Sequence, residues 1–431
     1  MLDTQTKPPR SANLHPTFAY RWTVLLAISA TMYGSYYAYD VIGPLAPLLS
    51  RQLHFSDSQI GLLQASYSVP NVVVLLIAGL LIDRFGAKKT MLMFGAIIFV
   101  GVATTAVAPR IGLMASGRLI FGVGAESLAM ATHVAIARWF MRDELSLAFG
   151  LRGSASRLGS LSAQTSPTWA AAAYTYWQWP LLISVGFATL CVIGTALYWI
   201  LESRGERRFE LGPAEHKAKF LLRDILGFNR SFWLLAALCI TFYACIFPFQ
   251  TFGQKFLIDT RHVTPKTASL LIGMEPFFSL LLMPLFGYGV DRFGKRALFM
   301  MVGSLLLVPV FPLLAYTNVP PVIPLAMMGI AFSMVPPILW MSIVLVVDRS
   351  HLGFASAIVD AFQQSGLVAA NLLVGWSNDR YLAGAAHPGG YDLGMWIFTM
   401  FAVAAVFSAV LLRRVETGPQ AHGLETITAG A

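Results

Sequence analysis

The residues of this 431-residue chain that could do chemistry are charges in apolar surroundings. An ionised side chain at the centre of a bilayer costs at least about 2.5–3.5 kcal/mol, so it usually faces a cavity and has a task there. Asp40, Glu126, Glu275 and Asp360 lie within long apolar runs, as do Arg152 and Arg157. In the run 112–140, Glu126 sits ~21 Å from the start at 1.5 Å per residue. In the run 145–173, Arg157 sits ~18 Å from the start. A hydrocarbon core is about 30 Å thick, so both fall near mid-depth, and consecutive antiparallel helices let the two side chains meet. One reading is a structural salt bridge. The other is a receptor for a zwitterion, with Glu126 taking an ammonium and Arg157 gripping a carboxylate bidentately. Both readings stand, each in its own state of the molecule.

Other groups share these levels. Asp40 reads as a gate or a helix cap. Glu275, in Gly273-Met-Glu275-Pro276, reads as a proton acceptor or an ammonium contact. Tyr36, Tyr67 and Trp340 are the aromatic residues expected to face a substrate, and Asn71 and Gln364 can donate to a peptide group. Catalysis is not expected: His-Glu-x-x-His, Gly-x-Ser-x-Gly and P-loop patterns are missing from the sequence, which also removes nucleotide drive. The three cysteines, Cys191, Cys239 and Cys245, lie in apolar segments without ligand spacing, so no metal or other cofactor is expected.

The elements that position these groups must be transmembrane helices. Hydrophobic residues make up 56% of the chain and charged residues 12%, with a mean hydropathy of +0.66. A soluble surface needs about twice that charge. Twelve apolar stretches are long enough to span: 22–50, 59–82, 89–109, 112–140, 145–173, 178–202, 230–258, 264–290, 296–317, 320–348, 352–382 and 390–414. The net charge of +9 is spread through short loops, a topological pattern and not a nucleic-acid stripe. With the N-terminus inside, 22 of the 30 basic residues fall on the cytoplasmic side and six outside, so both termini are expected in the cytoplasm. The organisation is a tail (1–21), a six-helix bundle (22–202), a polar central loop (203–229) with an amphipathic surface helix, a second bundle (230–414) and a disordered tail (415–431).

The chain also repeats itself. Asp83-Arg84-Phe85-Gly86 follows the second span, and Asp291-Arg292-Phe293-Gly294 follows the eighth, 208 residues later. Two basic residues come soon after each. By the same offset Asp360 maps near Arg152, close to the inner face, and the two are expected to form an inner gate pair. The pattern G-x-x-x-D-R-x-G-x-[RK]-[RK] resembles the loop signature of the major facilitator superfamily. That resemblance implies an all-α membrane protein of two six-helix bundles around a central cavity, working by alternating access. Asp83 would then face the N-terminus of the eleventh helix and the basic residues Arg138 or Arg142, and Asp291 the fifth helix. Gly117-Arg118 through Gly124 resembles a second family motif, whose arginine is linked to proton movement in proton-coupled members. Arg118 reads equally as a helix anchor. Arg118, Glu126 and Glu275 are the proton-coupling candidates.

Within the superfamily, four elements resemble the branch of lysosomal dipeptide transporters that work with a glycosylated accessory subunit. They are Tyr39-Asp40, Tyr67-Ser-Val-Pro70-Asn71, Gly124-Ala-Glu126-Ser127-Leu-Ala and Ser156-Arg157-Leu-Gly159-Ser160. The branch implies facilitated dipeptide movement, with Glu126 and Arg157 contacting substrate. The chain departs from the branch at Ser156, where an alanine is usual, and at Asp40-Val-Ile-Gly-Pro44, where Asp-Asn-Pro is usual. No acidic dileucine sorting signal is present in the N-terminal tail. The expectation is a monomeric bacterial plasma-membrane relative, or a lysosomal protein if the source is eukaryotic, with no accessory subunit indicated. The alternative is a proton-coupled symporter of organic anions such as sugar acids.

Overall fold

Prolines and glycines decide where the helices break. The computed structural model describes residues 16–140, 142–209, 227–348, 351–419 and 421–427, apart from the side chains at 76, 83, 142, 143 and 146. The first rod is α1 (Phe18–Asp40) followed by α2 (Ile42–Leu53), interrupted at Val41. Pro44 cannot donate to the carbonyl of Asp40, and its ring crowds that carbonyl. The second rod is α3 (Asp57–Ser68) and α4 (Asn71–Phe85), broken where Pro70 enters. Then follow α5 (Ala87–Val107), α6 (Ile111–Trp139), α7 (Arg142–Gln164), the single turn α8 (Ser166–Trp169) and α9 (Gln178–Arg208).

The second half opens with α10 (Arg230–Arg261), which stays one helix through Pro248. Next come α11 (Pro265–Ile272) and α12 (Met274–Phe293), separated at Gly273, and α13 (Arg296–Leu307) and α14 (Val310–Tyr316). Helix α15 (Val322–Val346) runs unbroken through Pro336 and Pro337, and α16 (Leu352–Arg380) and α17 (Asp392–Glu416) complete the described helices. Pro248, Pro336 and Pro337 therefore lie inside continuous helices. Pro276 does act, in the first turn of α12, where its missing N–H frees the carbonyl of Ile272.

Among the described residues, nine helical segments are long and apolar enough to cross a membrane. The expected runs at 22–50, 59–82 and 145–173 fall short. They are either split by proline or polar in composition, and they carry Tyr36, Asp40, Tyr67, Asn71, Arg152 and Arg157. These polar residues lower the hydropathy of the helices that carry them. In the first half α1 packs on α7 and α9, and α5 on α6 and α9; in the second, α10 packs on α16 and α17, and α12 and α13 on α15. The halves meet where α3 and α4 lie against α16, α2 against α10, and α7 against α12.

The sequence repeat is a structural one. Gly86 and Gly294 both adopt positive φ, 78° and 65°, and each N–H bonds back at 2.8 Å, to Ile82 and Val290 respectively. Only glycine takes that conformation cheaply. Arg84 lies over the Phe85 ring and Arg292 over Phe293 in the same way. The chain end corrects one expectation. Residues 421–427 are not loose: Leu424 is fully buried, and Lys295 and Arg296 donate their backbone N–H groups to the carbonyls of Glu425 and Leu424. An apolar anchor and a paired backbone hold the segment against the second repeat loop. The amphipathic helix expected in the central loop falls outside the described residues.

Candidate functional site

Glu126 is placed by a glycine one turn before it. A Cβ at Gly122 would stand 2.1 Å from the carbonyl of Tyr67, so only glycine lets α6 press against the end of α3. That contact brings the Tyr67 hydroxyl to Glu126, donating to Oε1 at 2.7 Å. Gln364, from α16 in the second half, donates its Nε2 to the same oxygen at 3.2 Å. Oε2 has no hydrogen-bond partner among the described residues. One carboxylate thus ties the two halves together and keeps an oxygen in reserve. A Gly122→Ala substitution is expected to push α6 off α3, to lower thermal stability and to reduce uptake at least about tenfold, as measured in a proteoliposome uptake assay beside a melting curve.

Arg157 is positioned by the same device on α7. A Cβ at Gly159 would come within 2.4 Å of the Tyr33 carbonyl, so α7 and α1 touch closely. The guanidinium then lies over Tyr36 at 5.0 Å and Phe332 at 5.5 Å. Arg157 is only 9% exposed, yet it makes neither a hydrogen bond nor an ion pair among the described residues, and Nη1 is a buried donor without a partner. It stands in the field of Glu275 and Asp40 without pairing to either. The expected Glu126–Arg157 salt bridge is not formed here. Arg152 is the arginine whose charge bears on Glu126.

The other predicted residues divide clearly. Glu275 is buried and already satisfied by Gln250 and by Ser279, the latter at 2.9 Å. Asp40 is buried, with Gln164 donating to Oδ1 at 3.4 Å and Oδ2 unpartnered. Trp340 donates its Nε1 to the Tyr243 hydroxyl at 3.2 Å, and Tyr243 stacks on Phe247. Asn71 is fully buried and donates to the Tyr67 carbonyl at 3.0 Å, so its amide donor supports the break between α3 and α4 instead of facing a cavity. Arg118 donates to the carbonyls of Ala38 and Tyr39 and to Gln64 Oε1, at 2.8, 3.2 and 2.7 Å. It fastens α6 to the last turn of α1.

The inner gate pair expected from sequence, Arg152 with Asp360, is not formed among the described residues. Arg152 donates to Thr132 Oγ1 and the Ala129 carbonyl and does not reach Asp360. Asp360 is half-buried with no hydrogen bond or ion pair among the described residues. Arg138 is taken by Glu202 and Glu206 of α9, because the buried Glu202 needs its charge. Asp291 pairs with Arg296 at 3.4 Å. The side chains of Asp83 and Arg142 lie outside the described residues.

The match to known proteins agrees with this architecture. The model of the Major Facilitator Superfamily matches residues 26–371 and 251–428. The chain belongs to the major facilitator superfamily. It is therefore an integral, multi-pass membrane transporter and not an enzyme. Among relatives of this superfamily it is 30% identical over 369 residues to the lysosomal dipeptide transporter MFSD1 of Danio rerio, covering 83% of this chain and 80% of that one. It is 29% identical to the human protein of the same name, covering 83% and 80%. A galacturonate transporter of Dickeya chrysanthemi is 28% identical over half of this chain and 66% of its own. Among solved structures, a D-xylose–proton symporter superposes with a TM-score of 0.70 at 16% identity, over 92% of this chain and 97% of that one.

Sequence reasoning missed Phe332, Gln164, Gln254, Asp57, Lys255 and Asp379. Phe332 had no signal in an all-apolar helix. The three charges look like loop charges until their partners, up to 322 residues away, are seen.

Proposed function

We propose that this transporter moves dipeptides or similar small zwitterions by alternating access, Glu126 receiving the ammonium and Arg157 the carboxylate. The observation that carries the reading is the buried, unpaired Arg157 guanidinium. A desolvated cation without a partner is costly, and a planar carboxylate seated between Tyr36 and Phe332 satisfies it bidentately. Across the cavity Glu126 offers Oε2 to the other end of the substrate. Tyr36 and Phe332 give a wall that tolerates varied side chains, with Trp340 close by. The similarity to dipeptide transporters over 83% of the chain supports the substrate class.

The chain is organised as twelve spans in two bundles, 22–202 and 230–414, with both termini cytoplasmic and the cavity between them. The three polar rods that fall short in hydropathy complete the count. A bacterial plasma membrane is the proposed site, and a monomer the working unit. A second reading, proton-coupled symport of sugar acids with Arg157 on the carboxylate, is favoured by the galacturonate and hexuronate transporters among the relatives.

Uptake of a labelled dipeptide into proteoliposomes, with and without a pH gradient, tests this. Saturable uptake competed by unlabelled dipeptide and not by galacturonate is expected. Uptake of galacturonate alone, driven by an inward proton gradient, would replace the dipeptide reading with the second one.

A further inference from the structure

Far from the cavity, at the end where α3 begins, the two halves are joined by a compact set of polar contacts. The carboxylate of Asp379, in the last turn of α16, accepts the backbone N–H groups of Asp57 and Ser58 at 2.8 Å each. It caps the N-terminus of α3 from the opposite half. Asp57 is 2% exposed, and its own carboxylate takes Lys255 from α10 and the Asn378 amide, the latter at 2.9 Å. Two glycines set the approach. A Cβ at Gly375 would stand 2.5 Å from the Asp57 carbonyl, and one at Gly61 would stand 2.4 Å from that of Asn371. Deeper in, Gln254 donates to the Gln164 carbonyl at 2.9 Å, again between halves.

The α3–α4 rod and α16 are antiparallel neighbours, so each end of the pair sets the C-terminal turn of one beside the N-terminal turn of the other. At the end just described, the C-terminal acid of α16 holds the N-terminus of α3. At the far end, the C-terminal acid of α4 is Asp83, and the N-terminus of α16 is at Leu352. Partial positive charge at a helix N-terminus attracts a carboxylate, and the attraction is strongest when water is excluded.

We propose that Asp379, with the Asp57–Lys255 pair, is an outer latch that holds this end of the transporter closed, the reciprocal of the latch expected of the Asp-Arg-Phe-Gly loop at the inner end. One helix pair then carries a carboxylate-to-N-terminus latch at each end. Rigid rods that rock about the cavity engage one as they release the other. Opening the outer end rehydrates Asp57 and Asp379 and separates Gly375 from the α3 backbone. The inference rests on the proposed sidedness and on alternating access, and it is independent of the substrate.

Spin labels at Arg51→Cys on α2 and Lys266→Cys on α11, both exposed, report the width of this end. Cys191, Cys239 and Cys245 are replaced by alanine in the same protein. Pulsed electron–electron distance measurement in liposomes without substrate is expected to give a short distance for the parent. Asp379→Asn and Lys255→Gln are each expected to raise the ratio of long to short distances by about tenfold. Gly375→Ala keeps every charge but wedges α16 from α3, and the same shift is expected. Should Asp379→Asn fail to fold, Lys255→Gln and Gly375→Ala read the same latch. Distance distributions that match the parent in the folded variants would overturn the proposal. Because no substrate is present, a failed dipeptide assignment leaves this result standing.

Discussion

Arg157→Ala abolishes saturable dipeptide uptake while leaving the transporter as stable as its parent, or more so. The two halves of that expectation share one cause. Arg157 is buried and has no hydrogen bond or ion pair among the described residues, so in the empty protein its charge is met only at a distance, by Glu275 and Asp40. Removing it deletes a desolvation cost from the empty protein and a charge-assisted, bidentate contact from the loaded one. Truncating one partner of such a buried charged contact costs about 2–5 kcal/mol, so kcat/KM for uptake is expected to fall at least about thirtyfold. Arg157→Lys should recover only part of this, since an ammonium lacks the planar fork and stacks poorly between Tyr36 and Phe332. Glu126→Gln separates the two substrate readings. It should weaken a zwitterion about as severely as Arg157→Ala, whereas a sugar acid has no ammonium to lose. Uptake kinetics for both substrates, beside melting temperatures in detergent, decide the matter. Undiminished dipeptide uptake by Arg157→Ala would remove this site from the mechanism.

The opposite outcome is expected for the other deeply buried arginine. Arg118→Leu should unfold the first half more readily. Its guanidinium donates to the carbonyls of Ala38 and Tyr39 and to Gln64, all within 3.2 Å, and lies over the rings of Tyr39, Tyr67 and Phe121. These carbonyls precede the α1–α2 break at Val41, where Pro44 has already cost the backbone a donor. Leucine leaves three buried acceptors short of a partner, each worth about 1–3 kcal/mol. A loss of several kcal/mol corresponds to a drop of about 10 °C in melting temperature. Arg118→Lys, which can keep one or two of the bonds, should fall between. If Arg118→Leu melts with the parent but loses only the response of uptake to a pH gradient, the arginine serves proton movement and not the anchoring of α1.

Much of this was legible in the sequence because membrane insertion is governed by local composition. Apolar runs, the placement of Lys and Arg and the Asp-Arg-Phe-Gly repeat are one-dimensional signals, and each follows from what a bilayer tolerates. The same rule singled out Glu126 and Arg157, since a charge at mid-depth must have a use. Gly86 and Gly294 close the two copies of that repeat, and both have positive φ.

What only the tertiary structure decided was which partner each charge takes. Arg138 went to Glu202 instead of a gate, Arg152 to Thr132 and a backbone carbonyl, and Asp291 to Arg296. Arg118 and Arg157 are alike in sequence, each an arginine in an apolar helix, yet among the described residues one donates to three acceptors and the other to none. Partner choice depends on a few ångströms of helix approach and rotation. Those are set by contacts such as Gly122 on the Tyr67 carbonyl and Gly375 on that of Asp57, between residues far apart in the chain. Composition records that a charge must be compensated; packing alone determines whether the protein or its substrate does so.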